Sequence, residues 1–227
     1  MAETVLVFGA SGYQGGPVAR QLLAAGFEVL AAGRKTKKLE FLVQRGAEAV
    51  QVDLKKPQEV RKAAQRADFA FFHAPMGLAG GGNNEAERDA LTAILEGGVR
   101  HLSYNVGFAL PPEPMGAPPL DARIALAKEL LGEGRTTVFV PTGYLENFAA
   151  PWSAPRIVAG ELLYPLSPQV KVSWVTNEDV GRCTAAAFRQ PETKGMRLRT
   201  AGPEALTLSE VAGQMSRALE KTIEFGQ

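Results

Sequence analysis

The chain has 227 residues, enough for one large domain or a domain with an appendage, and long enough to bury a core without a metal or disulfide staple. Apolar residues make up 45% and charged residues 22%, and 25 basic side chains offset 24 acidic ones to a net charge of +1, so global charge gives no reason to expect nucleic acid or a membrane surface. One cysteine excludes a disulfide framework and a Cys-cluster metal site, and two histidines, His73 and His101, leave little for a His-based metal centre.

Met1-Ala2-Glu3 carries an acid where a secretory leader carries basic charge, and no run is long enough for a membrane span, so the expectation is a cytoplasmic protein. The first two-thirds alternates strand-like runs with helical patterns. Thr4–Phe8 reads as a strand, Pro17–Ala25 as a helix closed by Gly26, and Phe27–Ala32 as a strand. A helix over Lys37–Gln44, a strand over Ala49–Val52, a helix over Pro57–Ala64 and a strand over Phe69–His73 follow. Asn84–Leu95 reads as a helix whose Asn84 and Glu87 have capping-box spacing. Then come strand Arg100–Asn105, helix Leu120–Leu131 and strand Thr136–Val140. Strands separated by helices make βαβ units, which predict a doubly wound parallel sheet with helices on both faces.

After Pro141 the pattern changes, and prolines at 151, 155, 165 and 168 break it. Glu161–Tyr164 and Lys171–Trp174 read as short strands, Asn177 caps a helix through about Phe188, and Met196–Thr200 alternates like a surface-facing strand. Thr207-x-x-Glu210 is a capping box opening a helix through about Lys221, and a further strand begins near Ile223. The expected organisation is an α/β Rossmann-type domain over residues 1–145 and a small C-terminal substrate lobe over 146–227, with helices returning to the first domain.

VLVFGASGYQGG carries the strongest functional signal. A strand runs into Gly9-Ala10-Ser11-Gly12-Tyr13-Gln14-Gly15, and a helix follows. Gly9 makes the tight turn, Gly12 lets the backbone approach a pyrophosphate, and Gly15 lets the helix pack closely on the strand. The helix N-terminus offers unpaired N–H groups and a positive dipole end to phosphates. A structural turn in an unrelated α/β fold is the plain alternative. The second strand ends at Gly33-Arg34, with Lys35, Lys37 and Lys38 after it, where an NAD site would carry an acid for the ribose 2′-hydroxyl. Cations there suit the 2′-phosphate of NADP(H), which is expected to be preferred over NAD(H); a solvated charge run is the alternative. Asp53 after the third strand either accepts from the adenine amino group or closes a turn. His73-Ala74-Pro75-Met76 ends the fourth strand beside the expected cofactor, with His73 as a wall residue. Gly77–Gly82 reads as a lid or as a disordered stretch. Tyr144, Asn147, Phe148 and Trp152 follow the sixth strand, where the aromatics would stack on the nicotinamide or a planar substrate, or form a small core joining the two lobes. Cys183 shares a helical face with Val180, Ala187 and Phe188 and reads as a buried, inert thiol.

VLVFGASGYQGGPVARQLLAAGFEVLAAGR resembles the start of NmrA-like proteins, a branch of the atypical short-chain dehydrogenases. GVRHLSYNVG, PTGYLENF and WVTNEDVGRCTAAAF are similar to later segments of that family, in the same order. The resemblance implies a Rossmann domain with NADP(H) in a cleft, and Asn105, Arg123 and Tyr144 beside the cofactor. Met76, Phe148 and Trp152 would face a small-molecule substrate. The family includes NADPH-dependent quinone reductases and also regulators that bind the nucleotide and act through a protein partner. Catalytic short-chain dehydrogenases carry Tyr-x-x-x-Lys; aligning Arg123 with that Lys places Pro119 where the Tyr belongs, so the usual general acid is missing. Family members generally continue past the last helix found here, which implies a substrate cleft that is open or completed by another subunit in a homodimer. A chain cut short would read the same.

Overall fold

A computed structural model describes residues 2–73 and 84–226. The chain runs β1 (Thr4–Val7), α1 (Gly15–Ala24), β2 (Glu28–Gly33), α2 (Glu40–Val43), β3 (Glu48–Gln51), α3 (Pro57–Ala64) and β4 (Phe69–His73). It continues through α4 (Glu85–Glu96), β5 (His101–Asn105), α5 (Pro118–Gly132) and β6 (Thr136–Pro141). Then come α6 (Ala154–Ala159), β7 (Glu161–Leu163), β8 (Val172–Ser173), α7 (Asn177–Arg189), β9 (Arg197–Thr200), β10 (Ala205–Leu206), α8 (Leu208–Leu219) and β11 (Glu224–Gly226). These divide into two units, Met1–Pro141 with Asn177–Arg199, and Thr142–Thr176 with Thr200–Gln227.

The first unit is an α/β fold on a seven-stranded sheet in the order β3-β2-β1-β4-β5-β6-β9. Pairings from β3 to β6 are parallel, and Val138 N–H to Met196 O and Thr142 N–H to Thr200 O carry β9 alongside β6 in the same sense. This is the Rossmann-type sheet expected from the βαβ pattern. Strand order reverses between β1 and β4, where open α/β sheets leave a crevice at their carboxyl ends. Side chains alternate across the sheet with period two. Leu6, Phe72, Leu102 and Val138 join one core with Val60, Ile94 and Ile124 from α3, α4 and α5. Phe69 and His101 face the other way, onto Phe188 of α7.

Several local expectations change. Asn84 does precede α4, but in the left-handed region (φ 54°), and its side chain makes no cap hydrogen bond. Glu87 is therefore not half of a capping box; it is buried and turned toward β5. The expected helix over Lys37–Gln44 is a 3₁₀ turn at Thr36–Leu39 followed by the short α2. Pro155 opens α6 rather than breaking the chain, because a proline in a first turn forfeits no intrahelical bond. Met196–Thr200 is not merely a surface strand, since β9 is a member of the central sheet. Cys183 is exposed. The buried stripe of α7 runs through Asn177, Val180, Gly181, Thr184, Ala185, Ala187 and Phe188 and passes beside it. Partial burial, then Asp179, pushes its thiol up, so it stays protonated at neutral pH.

In the second unit β7 pairs parallel with β11, and β8 antiparallel with β10. Thr207 and Glu210 form the expected capping box: Glu210 N–H donates to Thr207 Oγ1 at 3.2 Å, and Thr207 N–H to Glu210 Oε2 at 2.7 Å. Phe148, Leu162, Trp174, Leu208 and Ile223 make its core. Among the described residues no helix is long and apolar enough to cross a membrane.

Candidate nucleotide site

β1 enters the glycine turn with Phe8 N–H donating to Phe71 O at 3.0 Å. Gly9 then takes φ +69°, a conformation that favours glycine, and Gly12 N–H closes the turn on Gly9 O at 2.8 Å. A Cβ on Gly15 would lie 2.4 Å from Gly9 O, so only glycine lets α1 start this close to β1. The N-cap Gln14 makes no side-chain cap, and no acid stands in the first turn of α1. No carboxylate competes for this helix start; Gly16 N–H donates to Gly12 O at 3.1 Å and Pro17 has no N–H, so what the start offers an anion is chiefly the Gly15 N–H and the positive dipole end. Gln14 Oε1 instead accepts from Asn105 Nδ2 at 3.1 Å, which ties the turn to the end of β5. Tyr13 is 79% exposed.

A cavity of about 240 Å³ opens beside this turn, at the carboxyl ends of β1, β2 and β3. Gly9, Ser11, Arg34 and Asp53 line it, so the structure brings together four residues singled out from the sequence. Leu54 and Lys55 complete the β3 side, and Lys55 was not foreseen. Lys38 lies on the 3₁₀ turn and is not part of this wall. Asp53 closes a turn: its Oδ1 accepts from Lys55 N–H at 3.1 Å.

His73 ends β4, half-buried, with Nδ1 3.1 Å from Asn105 O. A carbonyl only accepts, so Nδ1 carries the proton and Nε2 the lone pair. Burial pulls the imidazole pKa below its ordinary value and keeps it neutral, although Asn105 O opposes this. Ala74, Pro75 and Met76, and the Gly77–Gly82 stretch, expected as a lid or a disordered segment, lie outside the described residues.

Arg123 belongs to a buried network that sequence reasoning did not anticipate. Its guanidinium donates to Glu87 Oε2 at 2.7 Å, and Tyr104 Oη donates to Glu87 Oε1 at 2.7 Å. Glu87 is 1% exposed, and Arg123 also lies over the Phe108 ring at 5.5 Å. Burial, then the Glu87 charge, pushes the Tyr104 hydroxyl well up, so it holds its proton. Pro119, which aligns with the Tyr of catalytic short-chain dehydrogenases, stands in the first turn of α5. A usable signal was present: Glu87 shares its spacing with Ala90, Leu91 and Ile94, the apolar stripe of α4, and a carboxylate there needs a partner.

Tyr144, Phe148 and Trp152 belong to the second unit. Tyr144 is buried, and Phe148 packs on Trp174 (centroids 4.6 Å apart) and Tyr164 (5.6 Å) in that unit's own core. Trp152 is 69% exposed.

Residues 1–227 match the NmrA-like family. An NAD(P)H azoreductase of Xenophilus azovorans is 27% identical over 230 residues, covering 97% of this chain and 76% of the relative. The triphenylmethane reductase of Citrobacter sp., solved with NADP(H), superposes with a TM-score of 0.80 at 19% identity, over 99% of this chain and 78% of that one. The NADPH-dependent quinone oxidoreductase of Escherichia coli, solved with NADPH, gives a TM-score of 0.80 at 21% identity, over 99% and 77% of the two chains.

Proposed function

The chain belongs to the NmrA-like family, and from that premise we propose that it binds NADP(H), in preference to NAD(H), at the edge formed by β1, β2 and β3 and reduces a quinone- or carbonyl-type small molecule. The carrying observation is the cavity beside the glycine turn with Arg34 on its wall and, next to it, a helix start with no acid in its first turn. These residues fit a phosphorylated dinucleotide: Gly12 keeps a side chain away from the pyrophosphate in a turn that Gly9 and Gly15 make possible, and Arg34 supplies a planar cation for the 2′-phosphate. The names of the relatives support the reading, since they act on azo, triphenylmethane or quinone compounds with a nicotinamide nucleotide.

When bound, the nicotinamide supplies the hydride. The protein's own groups narrow the acceptor. Pro119 has no proton to give, the Tyr104 hydroxyl is held by Glu87, and His73 presents a lone pair at Nε2 rather than an N–H. A hydride acceptor whose reduced anion takes its proton from water, as a quinone's does, fits these groups better than a simple ketone, and with no group to take the hydroxyl proton a simple secondary alcohol is a poor hydride donor to NADP⁺. The same shortage of proton donors favours a second reading, a regulator that binds the nucleotide without turnover and passes its redox state to a protein partner.

Two measurements test this. Calorimetric titration with NADPH and NADH at one salt concentration is expected to favour NADPH by about tenfold to a hundredfold, the worth of one good charge-assisted Arg contact. Steady NADPH oxidation against a panel of quinones and azo dyes is then expected, with negligible oxidation of secondary alcohols by NADP⁺. Tight NADPH binding with no acceptor turned over would favour the regulator; equal affinity for both dinucleotides would sink the cofactor preference.

A further inference from the structure

Lys55 sits on the wall of the cavity that holds Arg34, and its ammonium makes no hydrogen bond or ion pair among the described residues. Its neighbour Lys56 is paired with Glu59 at 2.8 Å. β2 and β3 pair Gly33 with Gln51, and Val52 N–H donates to Gly33 O at 3.1 Å, so Arg34 and the Asp53–Lys55 turn leave the sheet side by side. Two unpaired cations and one carboxylate, Asp53, thus line one space. We propose that Lys55 is a second reader of the NADP(H) 2′-phosphate, holding it from the β3 side while Arg34 holds it from the β2 side. The inference rests on the nucleotide reading above and adds a residue to it.

Charge gives a second cation a role beside Arg34. A phosphate monoester carries roughly −1.5 to −2 at neutral pH. The Asp53 carboxylate brings a further negative charge to the same wall. Lys55 makes the wall net positive, and with no anion bound the two cations only repel each other. The Asp53–Lys55 turn also fixes where the lysine starts, because Asp53 Oδ1 holds the Lys55 N–H at 3.1 Å. Lys38, the cation of the β2 side chosen from sequence, is absent from the cavity wall.

The test is calorimetric titration of wild type, Lys55→Gln and Lys55→Arg with NADPH and with NADH at one fixed salt concentration. The side chain is exposed and unbonded, so melting curves should show all three proteins equally folded. Lys55→Gln is expected to weaken NADPH by about fivefold to tenfold, a charge-assisted contact discounted for solvent and salt, and to leave NADH nearly unchanged. Lys55→Arg should restore most of the loss. A Lys55→Gln protein that keeps the wild-type NADPH-to-NADH ratio overturns the inference and leaves the cofactor reading standing. An equal loss for both dinucleotides places Lys55 on their shared adenosine and also overturns it. A wild type that does not discriminate removes the cofactor preference and the inference together.

Discussion

Gly12 and Gly15 lie in one turn, and a methyl group would meet very different surroundings at each. At Gly15 it would sit 2.4 Å from Gly9 O and 2.5 Å from Gly9 C, both backbone atoms that cannot step aside. At Gly12 the nearest atom is the same Gly9 O but at 3.2 Å, a tight contact rather than an overlap. Gly15 thus serves the fold, and Gly12 serves whatever approaches from outside. Gly15→Ala is expected to lose about 1–3 kcal/mol, the cost of overpacking a tight site, read as a lower urea midpoint at unchanged slope. Gly12→Val should keep its midpoint near wild type and lose NADPH binding by calorimetry. Wild-type NADPH affinity in Gly12→Val would place the phosphates elsewhere, and a Gly15→Ala protein as stable as wild type would show that the turn relaxes. Both glycines were legible from spacing alone, because a strand precedes and a helix follows them. Lys55 was not: in Asp53-Leu54-Lys55-Lys56 it looks like any turn lysine, and only the β2–β3 register sets it beside Arg34.

Helix α4 shows how one element can satisfy two incompatible sequence patterns. Asn84 and Glu87 have capping-box spacing, yet Glu87 also falls on the stripe with Ala90, Leu91 and Ile94. Burial decided the matter, because the carboxylate finds better partners in Tyr104 of β5 and Arg123 of α5 than at its own helix start. Asn84 then turns to Pro119 O, with Nδ2 at 3.4 Å. The network therefore joins α4, β5 and α5, and it engages the guanidinium that the family resemblance sets beside the cofactor. Removing Glu87 leaves the Arg123 guanidinium without its carboxylate, and removing Arg123 leaves a buried carboxylate with only the Tyr104 hydroxyl to hold it. Arg123→Ala and Glu87→Ala are each expected to lose about 3–5 kcal/mol. The double substitution should lose clearly less than the sum, because the partners are in contact. Urea denaturation of the four proteins closes the cycle; single losses under about 1 kcal/mol, or strict additivity, would mean the pair contributes little to stability.

Across the whole molecule, what was legible is what repeats: the strand–helix alternation up to Pro141 predicts the parallel sheet, and the capping box predicts α8. What was hidden depends on residues distant in sequence, as with Arg197–Thr200 joining the sheet beside β6, or the surroundings of His101. That histidine is fully buried on β5. Thr137 Oγ1 donates its one hydrogen to Thr193 O at 2.8 Å, so it must accept from His101 Nε2–H at 2.7 Å. Nδ1 is left as a bare acceptor with no partner among the described residues, and protonating it would bury a charge and a donor together. Burial, with Lys194 adding to it, pulls the imidazole pKa down to about 4. An unfolded histidine titrates near 6.5, so between those values the unfolded chain holds a proton that the folded one does not. Stability is then full above about pH 6.5 and lost as pH falls toward 4, with His73 pushing in the same direction. Glu178, whose pKa is lowered by Gln21 and Arg20 against its partial burial, adds an acid limb only below about 4.5. Unfolding free energy by urea is expected to drop by about 2 kcal/mol from pH 7.5 to pH 5.0, from roughly 1.4 kcal/mol per pH unit across that window. In His101→Gln, which has no group titrating there, most of that drop should vanish. Equal stability of the wild type at the two pH values would mean that His101 takes up its proton without cost, and that the fold opens a path for water to Nδ1.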